Sequence, residues 1–268
     1  MSYGSDFVLT LFTNDIELAR RADEAGINRI GLDLERLGKA ARQQHLNTWI
    51  SDHDENQLPA LRQALNKSKL FVRTNPPHPR LGEEIDRLIE AGAEVLMLPM
   101  FRTAEDAANF IEYIDGRAEV SLLIETAAAA VRIDEIVQFK GIDEVHIGLN
   151  DLHRDVGLKS HFELLRYQFM NTLSDSVHNG GIPFGFGGIG RVNDDRLPIP
   201  SDLIYAQYPR LRADRALVSR VFTSPDYTQL DLTREVAAFR DCMDKWNECP
   251  EQDLIEARDM LWMAAKTL

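Results

Sequence analysis

Eight apolar, β-prone stretches alternate with segments of helical periodicity along the chain, and this alternation constrains the fold more than any other feature. Strands joined by helices run parallel, and a parallel sheet needs cover on its faces. Eight such units favour closure into a barrel over an open sheet. The length of 268 residues suits one (β/α)8 barrel. The sequence predicts an α/β fold, a (β/α)8 TIM barrel, forming a single domain over residues 1–268.

Two carboxylates follow neighbouring predicted strands in the stretch from 121 to 157. Glu125 ends the apolar run SLLIE, and Asp151 ends the run DEVHIGLND. In a right-handed βαβ unit both emerge at the same edge, where parallel α/β folds build their sites. Without Cys or a second His close by, they make an oxygen-rich site suited to Mg²⁺ or Mn²⁺. The alternative is that Glu125 caps the following helix and Asp151 closes a turn.

Three segments carry a resemblance to a known family: LMLPMFRTAEDA at 96–107, LLIETAAAAVRIDEI at 122–136 and GIDEVHIGLNDLHRDVGL at 141–158. They resemble the phosphoenolpyruvate/pyruvate barrels, specifically the family of 4-hydroxy-2-oxoheptanedioate aldolase and the citrate lyase β subunit. The resemblance implies that Glu125 and Asp151 bind a divalent metal, which chelates pyruvate or its enolate.

Arg73 lies at the carboxyl end of predicted strand three, KLFVRTN. An inward-facing arginine in a barrel is costly unless it meets an anion or an acid. The resemblance implies that Arg73 contacts the keto or enolate oxygen of the substrate and stabilises charge during carbon–carbon cleavage. A structural salt bridge inside the barrel is the alternative.

Strand two ends in Asp33, Leu34, Glu35 and Arg36. Aldolases of the resembled family have an Asp-x-Glu-His pattern there, and the His works with an acidic residue from a later helix; Glu90 matches that acidic position here. Arginine stays protonated, so Arg36 cannot serve as a general base. The acid/base pair is therefore absent in its usual form.

Three consequences of this departure are open. His45, His53 or His78 supplies the proton transfer, or the reaction is a metal-enolate condensation or decarboxylation with a lighter acid/base demand. Alternatively, Arg36 pairs with Glu90 and recognises a carboxylate or phosphate of the second substrate through its planar fork.

The segment GFGGIG at 185–190 fits G-x-G-x-x-G, but RVNDDRLPIP follows instead of the helix that a dinucleotide fingerprint requires. We therefore reject a Rossmann fold. Loops after strands seven and eight of barrels often bind anions. Gly187, Gly188 and Gly190 with Arg191 are candidates to hold a substrate phosphate or carboxylate, and close helix packing is the alternative. Strand eight ends near Ser219 and Arg220, where the resembled family usually has Gly and Asp.

The sequence thus predicts a divalent-metal-dependent carbon–carbon lyase of the class II pyruvate aldolase type, which cleaves or forms 4-hydroxy-2-oxo acids through a metal-bound pyruvate enolate. Its substrates would be pyruvate or oxaloacetate and an aldehyde or acyl partner. The alternatives are a citrate-synthase-like or acyl-CoA (citramalyl/malyl-type) lyase, or a non-catalytic barrel that binds a 2-oxo acid. The predicted residues are Arg73, Arg36 and Glu35 as catalytic, Asp33, Asn150, Gly187 and Gly188 as substrate-binding, and Glu125 and Asp151 as metal ligands.

The barrel is predicted to cover about 7–226, followed by a helical extension over about 229–268. Trp246, Met260, Trp262 and Met263 supply more apolar surface than an isolated terminal helix would expose. In the resembled family this region crosses onto a neighbouring barrel, which predicts a homo-oligomer.

The formal net charge of −13 and the pI near 5.0 argue against binding nucleic acid or an anionic membrane, because both need clustered Lys and Arg. The start MSYGSDFVLTLF has neither a basic flank nor a long apolar core, so it predicts no signal peptide or membrane span. A cytoplasmic location is the expectation.

Overall fold

The computed structural model describes residues 2–37, 52–192, 194, 197, 199–224 and 226–266. Eight parallel strands form a closed barrel in which each strand pairs with the next along the chain and the last pairs with the first. The strands are β1 Val8–Phe12, β2 Arg29–Asp33, β3 Lys69–Arg73, β4 Val95–Leu98, β5 Glu119–Ile124, β6 Glu144–Ile147, β7 Phe184–Phe186 and β8 Arg215–Val218. The predicted (β/α)8 barrel is confirmed.

Helices surround this barrel in the described part of the chain. Those before β7 are α1 Tyr3–Asp6, α2 Ile16–Glu24, α3 Leu58–Ala64, α4 Leu81–Glu90, α5 Ala104–Ile114, α6 Ala127–Ala130, α7 Ile133–Ile136, α8 Leu149–Asp155, α9 His161–Arg166 and α10 Gln168–Asn179. After β7 come α11 Ser201–Tyr205, α12 Gln207–Arg210, α13 Arg220–Thr223, α14 Leu232–Glu248 and α15 Glu251–Ala265. Single 3₁₀ turns occupy Glu55–Gln57 and Tyr227–Gln229. None of the described helices combines the length and apolarity needed to cross a membrane.

Strand alternation divides the apolar side chains into two sets. Inward-facing residues fill the barrel with a small cluster of Phe71, Val95, Met97 and Leu123. Residues of the opposite parity, such as Val72, pack between the sheet and the helices in one large core. Strands β2 and β3 approach so closely that a Cβ at Gly31 would lie 1.5 Å from the carbonyl oxygen of Phe71, so this position requires glycine.

One predicted boundary near the site was wrong. Strand β6 ends at Ile147, and Asp151 lies in the first turn of α8 rather than at the end of the strand. Helices α9 and α10 are separate because Tyr167 adopts an extended backbone with ψ 149° between them. His153 of α8 is buried, and its Nδ1 lies 2.9 Å from the carbonyl oxygen of Leu149.

The C-terminal helices pack on their own barrel. Helix α14 lies against α1, and α15 contacts α9, α11 and α12. The buried face of α15 includes Leu254 and Leu261, whereas Met260 and Met263 are 60% and 63% exposed. Contact of this region with a neighbouring subunit stays a prediction, as does the single-domain organisation.

Arg240 links helix α14 to the segments that precede β1 and β2. Its guanidinium donates hydrogen bonds to the carbonyl oxygens of Gly4 at 2.6 Å, Phe7 at 3.0 Å and Gly26 at 2.9 Å. A charged donor that serves several carbonyls is worth more than a neutral hydrogen bond.

We expect Arg240→Ala to lower the free energy of unfolding by about 2–3 kcal/mol, because these carbonyls lose a charged donor. Chemical denaturation measures the change. Arg234→Ala on the exposed side of the same helix is the matched control, and an equal loss in both variants would contradict the role of Arg240.

Candidate active site

Arg73 and Asp33 form a two-point ion pair at the carboxyl ends of the barrel. They are the last residues of β3 and β2 and are directly opposite in the strand register. Arg73 Nε donates to Asp33 Oδ1 at 2.8 Å, and Nη2 donates to Asp33 Oδ2 at 2.6 Å. The Oε2 atom of Glu35 lies 3.6 Å from the same Nη2. The register of two strands thus fixes a guanidinium beside two buried carboxylates.

Electrostatics keep this guanidinium charged. Burial by itself would lower the pKa of Arg73, but the charges of Asp33, Glu35 and Glu125 and the hydrogen bonds to Asp33 outweigh burial and raise it. Arg73 also lies over the ring of Phe12, with 5.4 Å between the guanidinium carbon and the ring centroid.

Glu125 directly follows β5 and is 3% exposed. Its Oε1 accepts a hydrogen bond from the backbone N–H of Met100 at 2.9 Å. Burial raises the pKa of Glu125 to about 8; Arg73 and the Met100 N–H oppose this rise, whereas the charges of Glu35 and Asp151 add to it. The site therefore favours a proton or a cation on this carboxylate.

The alternative reading of Glu125 as a helix cap is not supported by these contacts. Helix α6 is capped by Thr126, whose hydroxyl oxygen accepts from the N–H of Ala129 at 3.1 Å. The carboxylate of Glu125 instead points to the backbone of Met100 and to Gly148.

Two backbone positions that sequence reasoning missed hold Glu125 in place. Met100 has a φ of 56°, a conformation that is strained for a side chain of its size. At Gly148, before α8, an added Cβ would lie 2.6 Å from Glu125 Cβ and 2.7 Å from its Oε2. The glycine in the segment GLND was the available signal, because it stands between a strand and a candidate ligand.

The donor set fits a hard divalent cation. The carboxylates of Asp33, Glu35 and Glu125 act on the half-buried Arg73, and the charge of Asp151 acts on Glu125. Within the described ranges, no group of three or more His, Cys, Asp or Glu side chains converges as a ready metal site. Metal binding by Glu125 and Asp151 stays a prediction; two protein carboxylates with water and substrate in the other positions are a ligand set that Mg²⁺ accepts.

Arg36 does not pair with Glu90. Its Nη2 donates to the carbonyl oxygen of His53 at 2.6 Å, and its backbone N–H donates to Asn75 Oδ1 at 3.0 Å. Glu90 is exposed at the end of α4. The buried acid that reaches this loop is Glu84, whose Oε1 accepts from the Asn75 N–H at 2.9 Å. Sequence reasoning missed Glu84 and Asn75 because a contact between a helix and a loop leaves no periodic pattern.

The candidate histidines have different environments. His53 Nδ1 accepts from the backbone N–H of Asp33 at 2.9 Å, which places the proton of the neutral ring on Nε2. His78 Nε2 lies 2.8 Å from Glu84 Oε2, and its Nδ1 accepts from Arg80 N–H at 3.2 Å. Both nitrogens of His78 thus fix the start of α4. His45 lies outside the described residues.

The remaining predicted residues line the same end of the barrel. Asn150 is exposed in the first turn of α8. Gly187 and Gly188 follow β7, and Gly188 has a φ of 106° that favours glycine. Arg191 is paired with Asp194, Nη2 to Oδ2 at 3.0 Å. Substrate contacts of Asn150, Gly187 and Gly188 stay predictions.

A sequence profile of the HpcH/HpaI aldolase/citrate lyase family matches residues 16–177, which include strands β2 to β6 and the residues Asp33, Arg73, Glu125 and Asp151. The chain belongs to this family. The family generally depends on a divalent metal, which agrees with the donor set around Glu125.

A hydroxypyruvate/pyruvate aldolase of Agrobacterium fabrum is 28% identical over 178 residues, covering 52% of this chain and 66% of that protein. The chain thus matches just under two thirds of the relative's length. An HpcH/HpaI aldolase/citrate lyase family protein from Burkholderia cenocepacia J2315 superposes with a TM-score of 0.61 at 16% identity, covering 90% and 95% of the two chains. Citrate synthase SbnG gives 0.59 at 16% identity, over 81% and 88%. These structures share the fold.

We expect Gly148→Ala to displace the Glu125 carboxylate, because the new methyl group would overlap it. The apparent affinity for Mn²⁺, measured by titration, should fall by at least tenfold, a typical effect of disturbing the support of a metal ligand. Gly82→Ala on α4 is the control, because an added Cβ there meets no atom closer than 3.4 Å and the φ is not positive. Equal Mn²⁺ affinity in Gly148→Ala and wild type would contradict the role of Gly148 in positioning the Glu125 carboxylate.

Proposed function

We propose that this protein is a divalent-metal-dependent carbon–carbon lyase of the class II pyruvate aldolase type, which cleaves or forms 4-hydroxy-2-oxo acids. The single observation that carries the proposal is the charged Arg73, fixed by Asp33 beside the buried Glu125 at the carboxyl ends of the strands. Such a site joins a fixed positive charge to a carboxylate that favours a bound cation.

Glu125 and Asp151 would hold the metal, Mg²⁺ or Mn²⁺. When bound, the metal supplies Lewis acidity that polarises the oxygens of a 2-oxo acid. Arg73 donates hydrogen bonds to the keto oxygen of pyruvate or oxaloacetate and stabilises the negative charge that develops there as the bond to C4 breaks. Asp33 holds the guanidinium in the orientation that this contact needs.

The first-turn amides of α8, near Asn150, and the loop at Gly187 and Gly188 bind the carboxylate groups of the substrates. Glu35, buried and close to Arg73, lines the side of the site where the 4-hydroxyl group loses its proton, the C3–C4 bond breaks, and C4 with its oxygen leaves as the aldehyde. Arg36 contributes charge at the rim and cannot accept a proton.

A citrate-synthase-like or acyl-CoA lyase reaction is the second candidate. It is favoured by the arginine that occupies the position of the usual base and by the structural similarity to citrate synthase SbnG. Release of free coenzyme A from acetyl-CoA and oxaloacetate, followed with a thiol reagent, would favour this candidate over the aldolase.

The deciding experiment is exchange of the methyl protons of pyruvate in D₂O, followed by NMR with Mg²⁺, with Mn²⁺ and with chelator. We expect metal-dependent exchange in the wild type and a loss of about 100-fold in Arg73→Lys, because lysine cannot keep the two-point contact with Asp33. Glu125→Gln should lose exchange as well. Arg234→Gln on α14 is the control for both variants.

No exchange with either metal in a folded wild-type protein would overturn the enzymatic proposal. It would instead favour a barrel that binds a 2-oxo acid without turnover.

The raised pKa of Glu125 also predicts how stability depends on pH in metal-free protein. A carboxyl group whose folded pKa exceeds its unfolded value stabilises the fold at low pH, and that contribution is lost as pH rises from about 4.5 to about 8. Relative to Glu125→Gln, the wild type should therefore become less stable over this range. Thermal unfolding at several pH values tests this, and parallel curves for the two proteins would contradict it.

Added Mn²⁺ should reverse this loss in the wild type, because a ligand that binds the folded state alone stabilises it. Glu125→Gln should show little increase in melting temperature with the same Mn²⁺ concentration.

A further inference from the structure

Arg36 is a solvent-exposed arginine at the rim of the site, three residues beyond the ion-paired Asp33. Within the described ranges its guanidinium makes one hydrogen bond, from Nη2 to the carbonyl oxygen of His53 at 2.6 Å. Among the same residues no carboxylate forms an ion pair with this guanidinium, and its other N–H groups have no hydrogen-bond acceptor.

The backbone of Arg36 is held in place by buried groups. Asn75 Oδ1 accepts from the N–H groups of Arg36 at 3.0 Å and Leu37 at 3.1 Å. Asn75 is fixed in turn by Glu84, which accepts from its backbone N–H at 2.9 Å and from its side-chain amide at 3.2 Å. Glu84 is 4% exposed. A loop braced in this way presents its arginine without a large loss of conformational entropy.

The negative charge of the site makes a positive charge at its rim favourable for binding an anionic substrate. An anionic group that approaches the carboxylates of Asp33, Glu35, Glu125 and Asp151 is repelled, and Asp33 offsets the positive charge of Arg73. A guanidinium at the rim offsets that repulsion, and its planar fork matches a carboxylate or a phosphate group.

We propose that Arg36 selects a second substrate that carries an anionic group, a carboxylate or a phosphate, distal to the reacting carbonyl. The proposal rests on the aldolase function proposed above, in which the 2-oxo acid binds at Arg73 and the second substrate binds nearer the rim. A purely structural Arg36 would only tether His53.

Paired aldehydes of similar size test this selection. Condensation with pyruvate is measured for glyoxylate against glycolaldehyde and for glyceraldehyde 3-phosphate against glyceraldehyde, in wild type, Arg36→Gln, Arg36→Lys and the distant control Arg234→Gln. We compare the ratio of kcat/KM between the anionic and the neutral aldehyde of each pair. Any loss of activity that affects both aldehydes equally leaves this ratio unchanged.

We expect the wild type to favour the anionic member of at least one pair, and the pair concerned identifies carboxylate or phosphate as the group. In Arg36→Gln this ratio should fall about 10- to 100-fold, the value of one charged hydrogen-bond contact, mainly through a higher KM for the anionic aldehyde. Arg36→Lys should keep part of the ratio because it keeps the charge. Equal losses for anionic and neutral aldehydes in Arg36→Gln would overturn the proposal.

A binding measurement tests anion recognition by Arg36 independently of the proposed reaction. The Nε–H resonance of Arg36, assigned by its absence from Arg36→Lys, is followed by NMR while glyoxylate or inorganic phosphate is added. A saturable shift of this resonance supports anion recognition even if pyruvate exchange fails in the wild type. Absence of a shift with both anions overturns the role of Arg36, whatever the outcome of the exchange assay.

Discussion

The ion pair between Arg73 and Asp33 links the architecture of the barrel to the chemistry at its rim. Both residues terminate adjacent parallel strands, so their alignment follows from the β2–β3 register rather than from any loop. A largely buried arginine without its carboxylate would leave a poorly compensated charge, and breaking a buried ion pair typically costs about 3–5 kcal/mol. The pair therefore makes the orientation of the guanidinium depend on the fold itself.

The carboxylates around that pair outnumber the positive charge that Arg73 supplies. The raised pKa of Glu125 is the physical sign of this excess: burial and the charges of Glu35 and Asp151 disfavour its ionised form, and Arg73 only partly compensates. A divalent cation bound to this carboxylate, as proposed above, would offset the excess negative charge. The strained backbone of Met100 and the missing side chain at Gly148 show that local structure has been shaped around this one carboxylate.

The arginine that follows strand β2, where the resembled family has histidine, is held by specific contacts. Arg36 occupies the place of the usual histidine, and Asn75 and Glu84 hold it from the neighbouring loop. Arginine cannot act as a general base, so this position does not supply the acid/base chemistry of a histidine. The ion pair of Arg73 with Asp33 is present all the same.

The sequence alone determined the eight strand–helix units, because a period of two in buried strands and of 3.6 in helices is local information. It also located Glu125, Asp33 and Arg73 at strand ends, since a carboxylate or arginine that interrupts an apolar run is visible without a structure. Only the tertiary structure decided that Arg73 binds Asp33, that Asp151 belongs to the first turn of a helix, and that Glu84 rather than Glu90 reaches the loop after β3. Those outcomes depend on strand register and on contacts between loops distant in sequence, which side-chain periodicity does not encode.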